Sequence, residues 1–97
     1  MTDEIKPAFT EEKLKVIVKS PEGIVFDGQV YAITSFNING LFDVLPFHSN
    51  FVSIIKEKLI LHETKDASKE IKIENGVMKI SENNVEIFLG LETITSM

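Results

Sequence analysis

The sequence predicts an all-β domain: an antiparallel β-sandwich or flattened barrel of about nine to ten short strands. Three observations point there. Apolar and polar residues alternate with a period of two, beginning with Leu14, Val16 and Val18, which alternate with Lys13, Lys15, Ile17 and Lys19. Turn residues punctuate these runs at close intervals, as in Pro21-Glu22-Gly23, Asn39-Gly40 and Asn83-Asn84. No long stretch holds the period of about 3.6 residues that an amphipathic helix requires.

Each element follows from this pattern. Residues 1–12 are polar and aperiodic, contain Pro7, and read as a flexible leader with Phe9 as a candidate anchor. Residues 13–90 form the sandwich domain, and residues 91–97 are a short tail. Lys13–Lys19 is a half-buried strand whose outer face is lined by lysine. Ser20-Pro21-Glu22-Gly23 is turn chemistry: Pro21 presets φ and Gly23 accepts a positive one. Ile24–Phe26 is a short strand, with Gly28 closing an Asp27-Gly28 hairpin turn. Gln29–Ile38 is rich in β-branched and aromatic residues and breaks at Asn39-Gly40. Leu41–Leu45 ends at Pro46, which has no N–H for a ladder. Phe51–Ile55 and Leu59–Glu63 flank Lys56-Glu57-Lys58. Glu70–Glu74 and Val77–Ser81 flank a tight turn at Asn75-Gly76. Val85–Gly90 is the last strand.

Composition excludes several function classes. The chain has 97 residues and a formal net charge of −5, with ten lysines and no arginine. An acidic surface repels nucleic acid and anionic headgroups. Without arginine there is no bidentate fork for phosphate. Neither nucleic acid nor direct insertion into the bilayer is therefore expected. There is no cysteine, which excludes disulfides and thiolate chemistry. No apolar run reaches the ~20 residues that span a membrane. The start carries Asp3, Glu4, Glu11 and Glu12 against Lys6, unlike a secretory or mitochondrial targeting segment, so a cytosolic chain is expected.

No catalytic constellation emerges from the sequence. His48 and His62 are the two histidines, too few for a metal site of three or four ligands. His62 and Glu63 are strand neighbours and point to opposite faces. His48 and Ser49 are adjacent, a spacing that rarely aligns a nucleophile with its base. Asp27 and Asp43 are the two acids embedded among apolar residues, and no phosphate cradle is present. No catalytic residue, metal or cofactor is expected. The apolar pair Leu41 and Phe42, just past a turn, and Phe47 after it lie outside simple strand packing. They either fold inward or form a docking patch.

Two segments carry a resemblance. They are Ser20-Pro21-Glu22-Gly23-Ile24-Val25-Phe26-Asp27-Gly28-Gln29-Val30 and Gly40-Leu41-Phe42-Asp43-Val44-Leu45-Pro46-Phe47-His48. In order and spacing they resemble the N-terminal domain of the epsilon subunit of F-type ATP synthases (delta in mitochondria). Ile54-Ile55-Lys56, Asn75-Gly76-Val77 and Asn84-Val85-Glu86-Ile87 extend the similarity, which runs from Lys13 to Gly90. The resemblance implies a sandwich of about ten strands in the rotor of the synthase, joining the gamma stalk to the c-ring and coupling rotation to ATP synthesis. Such a part suits a stiff sandwich, because cross-strand ladders and a close-packed core deform little. By position, Asn39, Gly40, Leu41 and Phe42 correspond to the c-ring contact, and Pro46, Phe47 and His48 to the gamma-facing edge. The implied location is the cytoplasmic face of the bacterial inner membrane, peripheral to it.

The departures are informative. The family often has Gly where Asp43 and Phe47 stand, and an acid near Leu41. A Gly expected after Ile55-Lys56 is replaced by Glu57 and Lys58, and a Pro expected two residues after His48 is Asn50. The family commonly continues into a helical hairpin that inhibits hydrolysis and in some members binds ATP. Only seven residues follow Gly90, so neither arm-mediated inhibition nor nucleotide binding is expected. The competing readings are a free-standing sandwich that binds a ligand or peptide, such as a carbohydrate-binding module, and a small hydrolase. The first lacks the usual aromatic platform, having no Trp and only Tyr31. The second lacks a catalytic constellation.

Overall fold

The computed structural model describes residues 11–90. Seven strands follow one another: β1 (Leu14–Ser20), β2 (Gly23–Val30), β3 (Ala32–Asn37), β4 (Gly40–Val44), β5 (Phe51–His62), β6 (Ser68–Ser81) and β7 (Asn84–Leu89). They form one sheet in the order β2-β1-β7-β6-β5-β3-β4. Every pairing is antiparallel except β1 with β7, which is parallel. The all-β prediction holds, with this mixed pairing where an antiparallel sheet was expected.

The strand count falls from about nine to seven for a physical reason. Neither Lys56-Glu57-Lys58 nor Asn75-Gly76 is a turn. β5 runs unbroken for 12 residues and β6 for 14, and they pair along their whole lengths. Their register slips between Lys56 and Glu57, and Glu57 takes φ 72. A bulge of this kind bends a strand and raises its twist. It lets one ribbon pass from one half of the sandwich to the other. Residues 51–55 pair with β6 alone, whereas Lys56 and Leu59, Ile60, Leu61 and His62 also pair with β3, leaving Glu57 and Lys58 as the bulged residues opposite β3. The Ser35 hydroxyl donates to the Lys58 carbonyl at 2.7 Å, satisfying a carbonyl at the bulge. Glu57 thus holds the left-handed backbone where the family's Gly was expected.

Two glycines read as turn residues have other roles. Gly28 lies within β2, paired with Val16. Gly76 lies within β6, where a Cβ would sit 2.7 Å from the Phe88 carbonyl oxygen and 3.0 Å from Leu89. The requirement there is close backbone approach, not a turn. Pro21 and Gly23 do make the β1–β2 turn. Gly23 has φ 135, and the Ser20 hydroxyl accepts from the Glu22 amide at 3.2 Å.

The two halves of the folded sheet face each other across one core. Leu14, Val16 and Val18 of β1 and Met78, Ile80, Val85 and Ile87 of β6 and β7 meet Ile33, Val44, Leu59 and Leu61 from the other half. Each such buried side chain contributes about 1.5–3 kcal/mol relative to exposure. The β1 alternation read from sequence is the one observed, with Lys13 and Lys15 outside.

Replacing Gly76 with Ala is expected to destabilise the domain by about 1–3 kcal/mol, because the obstructing atom is backbone. Equilibrium urea unfolding measures it, and wild-type stability would refute the close-approach role.

Candidate functional site

The site is built on two connections and one sheet face. The first connection is the β3–β4 hairpin. The Asn37 side chain accepts from the Asn39 amide at 2.9 Å, and Gly40 takes φ 110, which closes the turn around Ile38 and Asn39. The Asn37 amide also donates to the Ser53 hydroxyl at 3.3 Å, holding the hairpin tip beside β5. Ile38 at the tip is 90% exposed, and Leu41 also faces solvent. Phe42 turns the other way. Its ring packs on the core and lies 6.0 Å from that of Phe51. Of the four residues expected to contact the c-ring, Asn39, Gly40 and Leu41 are at the surface hairpin, whereas Phe42 helps to close the sandwich.

The second connection, residues 45–50, joins β4 to β5. Pro46 is buried, so as a surface contact it is corrected: it anchors the loop. Phe47 is 73% exposed and holds φ 67, a conformation disfavoured for a bulky L-residue. Its amide donates to the Asn83 side chain at 2.7 Å, and the Glu82 amide donates to the Asn50 side chain at 2.9 Å. The β4–β5 connection and the β6–β7 turn at Glu82 and Asn83 therefore each supply an asparagine that accepts from the other's backbone. This reciprocal pair holds the strained Phe47 in place and gives Asn50 its structural role. The His48 ring stands edge-on to Phe51 at 5.2 Å, and its Nδ1 lies 2.9 Å from the Ser49 backbone carbonyl. That geometry engages the carbonyl of Ser49 and not its hydroxyl, so the adjacent pair is no nucleophile–base dyad.

The face is set by register. Leu41, Phe36 and Lys56 are partners across β4, β3 and β5. Two residues along β5, Ile54, Val77, Phe88, Lys19 and Ile24 are partners across β5, β6, β7, β1 and β2. These rows run over the outside of the sheet and include the 70% exposed Ile54. Lys19 lies over the Phe88 ring, 5.4 Å from its centroid. Sequence reading missed Ile38, Val52 and Ile54. The signal was present: Phe51-Val52-Ser53-Ile54-Ile55 is apolar on both alternating faces, where a half-buried strand carries polar residues on one.

Other chemistry is sparse. Among the described residues no three His, Asp or Glu side chains converge on a metal position. An open hollow is lined by Glu11, Glu12, Lys13, Lys15, Gln29, Asn83 and Asn84, charges of both signs without apolar walls. No described helix is long and apolar enough to cross a membrane. The leader anchor Phe9 and the tail lie outside the described residues.

A folded-over sheet with apolar rows on its outside is a β-sandwich that presents surface to other proteins. The profile of the ATP synthase Delta/Epsilon chain β-sandwich domain matches residues 13–90. The chain is 38% identical over 73 residues to the ATP synthase epsilon chain of a Nitratiruptor species, covering 74% of this chain and 57% of that one. It is 33% identical over 75 residues to the epsilon chain of Endomicrobium trichonymphae, covering 77% and 54%. Among solved structures, a chain of the Euglena gracilis mitochondrial ATP synthase (OSCP/F1/c-ring, rotational state 1) superposes with a TM-score of 0.73 at 16% identity, covering 86% of this chain and 57% of that one. A chain of the Tetrahymena thermophila mitochondrial ATP synthase central stalk and c-ring gives 0.65 at 15%, covering 82% and 65%. The chain belongs to the ATP synthase delta/epsilon β-sandwich family. It spans somewhat more than half the length of these curated relatives.

Phe47→Gly is expected to raise stability by about 0.5–1 kcal/mol, since it relieves left-handed strain and removes little buried area. Thermal unfolding of the two proteins checks it, and a lower midpoint for the variant would show that the Phe47 ring is a packing element.

Proposed function

We propose that this chain is a coupling part of the rotor of an ion-translocating F-type ATP synthase, at the cytoplasmic face of a bacterial membrane. It joins the gamma subunit to the c-ring and performs no chemistry of its own. The observation that carries this reading is the pairing of family membership with two separate exposed apolar surfaces on one stiff body. The hairpin tip, with Asn39, Gly40, Leu41 and the newly found Ile38, is the ring-facing surface. It is small and apolar, and suits a short loop. The long outer row through Ile54, Val77 and Phe88 suits the broad flank of a rigid subunit, and with Phe47 and His48 forms the gamma-facing surface.

The mechanics follow from the fold. Torque crosses the domain only if its two contact faces keep their relative position. The continuous β5–β6 ribbon joins the halves covalently, and the shared core resists shear between them. Both faces lie on these elements or are tethered to them, the hairpin by Asn37 and Ser53. Nothing in this role calls for a nucleotide, a metal or a cofactor.

Leu41→Asp and Ile54→Asp are expected to leave the fold within about 0.5 kcal/mol of wild type, as exposed substitutions do. Each should reduce recovery of its partner from native membranes at least about tenfold, the c subunit for Leu41 and gamma for Ile54. Phe42→Asp should instead unfold the domain. Recovery of both subunits at wild-type levels by the two surface variants would refute the docking assignment.

A further inference from the structure

On the outer face of the second half of the sheet, three polar side chains from adjacent strands meet at one atom. Thr34 of β3 is only 1% exposed. Its hydroxyl donates to Asp43 Oδ1 of β4 at 2.6 Å, and the same oxygen lies 2.9 Å from His62 Nε2 of β5. Thr34 and Asp43 are register partners, and Thr34 lies diagonal to His62, whose own partner is Ala32. A hydroxyl has one proton to give. Since it goes to Asp43, the contact to His62 requires the ring to donate its Nε2–H. We propose that Asp43, Thr34 and His62 form a hydroxyl-centred clamp that holds the edge strand β4, and with it the hairpin carrying Ile38 and Leu41.

The need for a clamp is visible in the sheet. β4 is five residues long and, among the described residues, pairs on one side only, with β3. Short edge strands open by local unfolding more readily than central ones. The clamp links β4 through β3 to β5, the strand that spans both halves. It also gives Asp43 a structural role: its carboxylate has a buried hydroxyl and, behind it, an imidazole.

Amide hydrogen exchange on the 97-residue chain, expressed as protection factors, tests this. Thr34→Val keeps the shape and removes the hydroxyl. It should lower protection of β4 by about tenfold, with β1 and β7 changed much less, and Thr34→Ser should restore it. Asp43→Asn keeps an acceptor for Thr34 and should retain most of the β4 protection, whereas Asp43→Ala should lower it as Thr34→Val does. Unchanged β4 protection in Thr34→Val, or an equal loss in all seven strands, would overturn the clamp. Wild-type protection of β4 in Asp43→Ala would overturn the place of the carboxylate in it. The clamp rests on the docking reading only for its purpose. Exchange on the chain alone tests it even if the Leu41 and Ile54 variants assemble normally.

Discussion

One joint controls this domain. At Glu57 the β5–β6 ribbon slips register and bends, so that a single pair of strands serves both halves of the sandwich. Without the bend, β3 and β4 would extend the sheet sideways and expose Ile33, Val44, Leu59 and Leu61. With it, those residues close on Val16, Val18, Met78 and Ile87 in one core. A left-handed Glu costs of order 1–2 kcal/mol, a small term beside the several buried side chains that the fold-over permits.

The same economy governs the loops. Phe47 is held in a conformation that glycine would adopt freely, and an interlocked pair of asparagines holds it there. Strain of this kind persists only where surrounding bonds over-determine the backbone. Asp43 follows similar logic, held on the edge strand by Thr34. The residues at 43, 47 and 57 thus each come with a local tether. Exposed apolar residues, among them Ile38, Leu41 and Ile54, lie around them.

Much of the fold was legible beforehand. The period-two alternation of β1, the Pro21–Gly23 turn and the all-β class are local properties, set by side-chain direction and turn chemistry. The long strands were not legible, because Asn75-Gly76 and Lys56-Glu57-Lys58 carry the residues of turns. Gly76 is glycine because of the Phe88 carbonyl on another strand, a contact no local window contains. At the candidate site, Leu41 and Phe47 were identified as exceptional, but the orientation of Phe42 and the burial of Pro46 were not. Neighbours in a strand face opposite ways, so a one-residue choice of register decides which of Leu41 and Phe42 meets solvent.

The sequence by itself determined the class, the family and the lack of thiol chemistry, since these rest on composition and on the order of short motifs. It also marked 39–48 as the segment unlike ordinary strand. Only the tertiary structure decided how many strands there are, which apolar residues face out, and what Asp43 and Asn50 do. The reason is one of range: alternation and turns are settled within a few residues. A bulge, a parallel pairing of β1 with β7, or an apolar row assembled from five strands exists only once distant segments share a register.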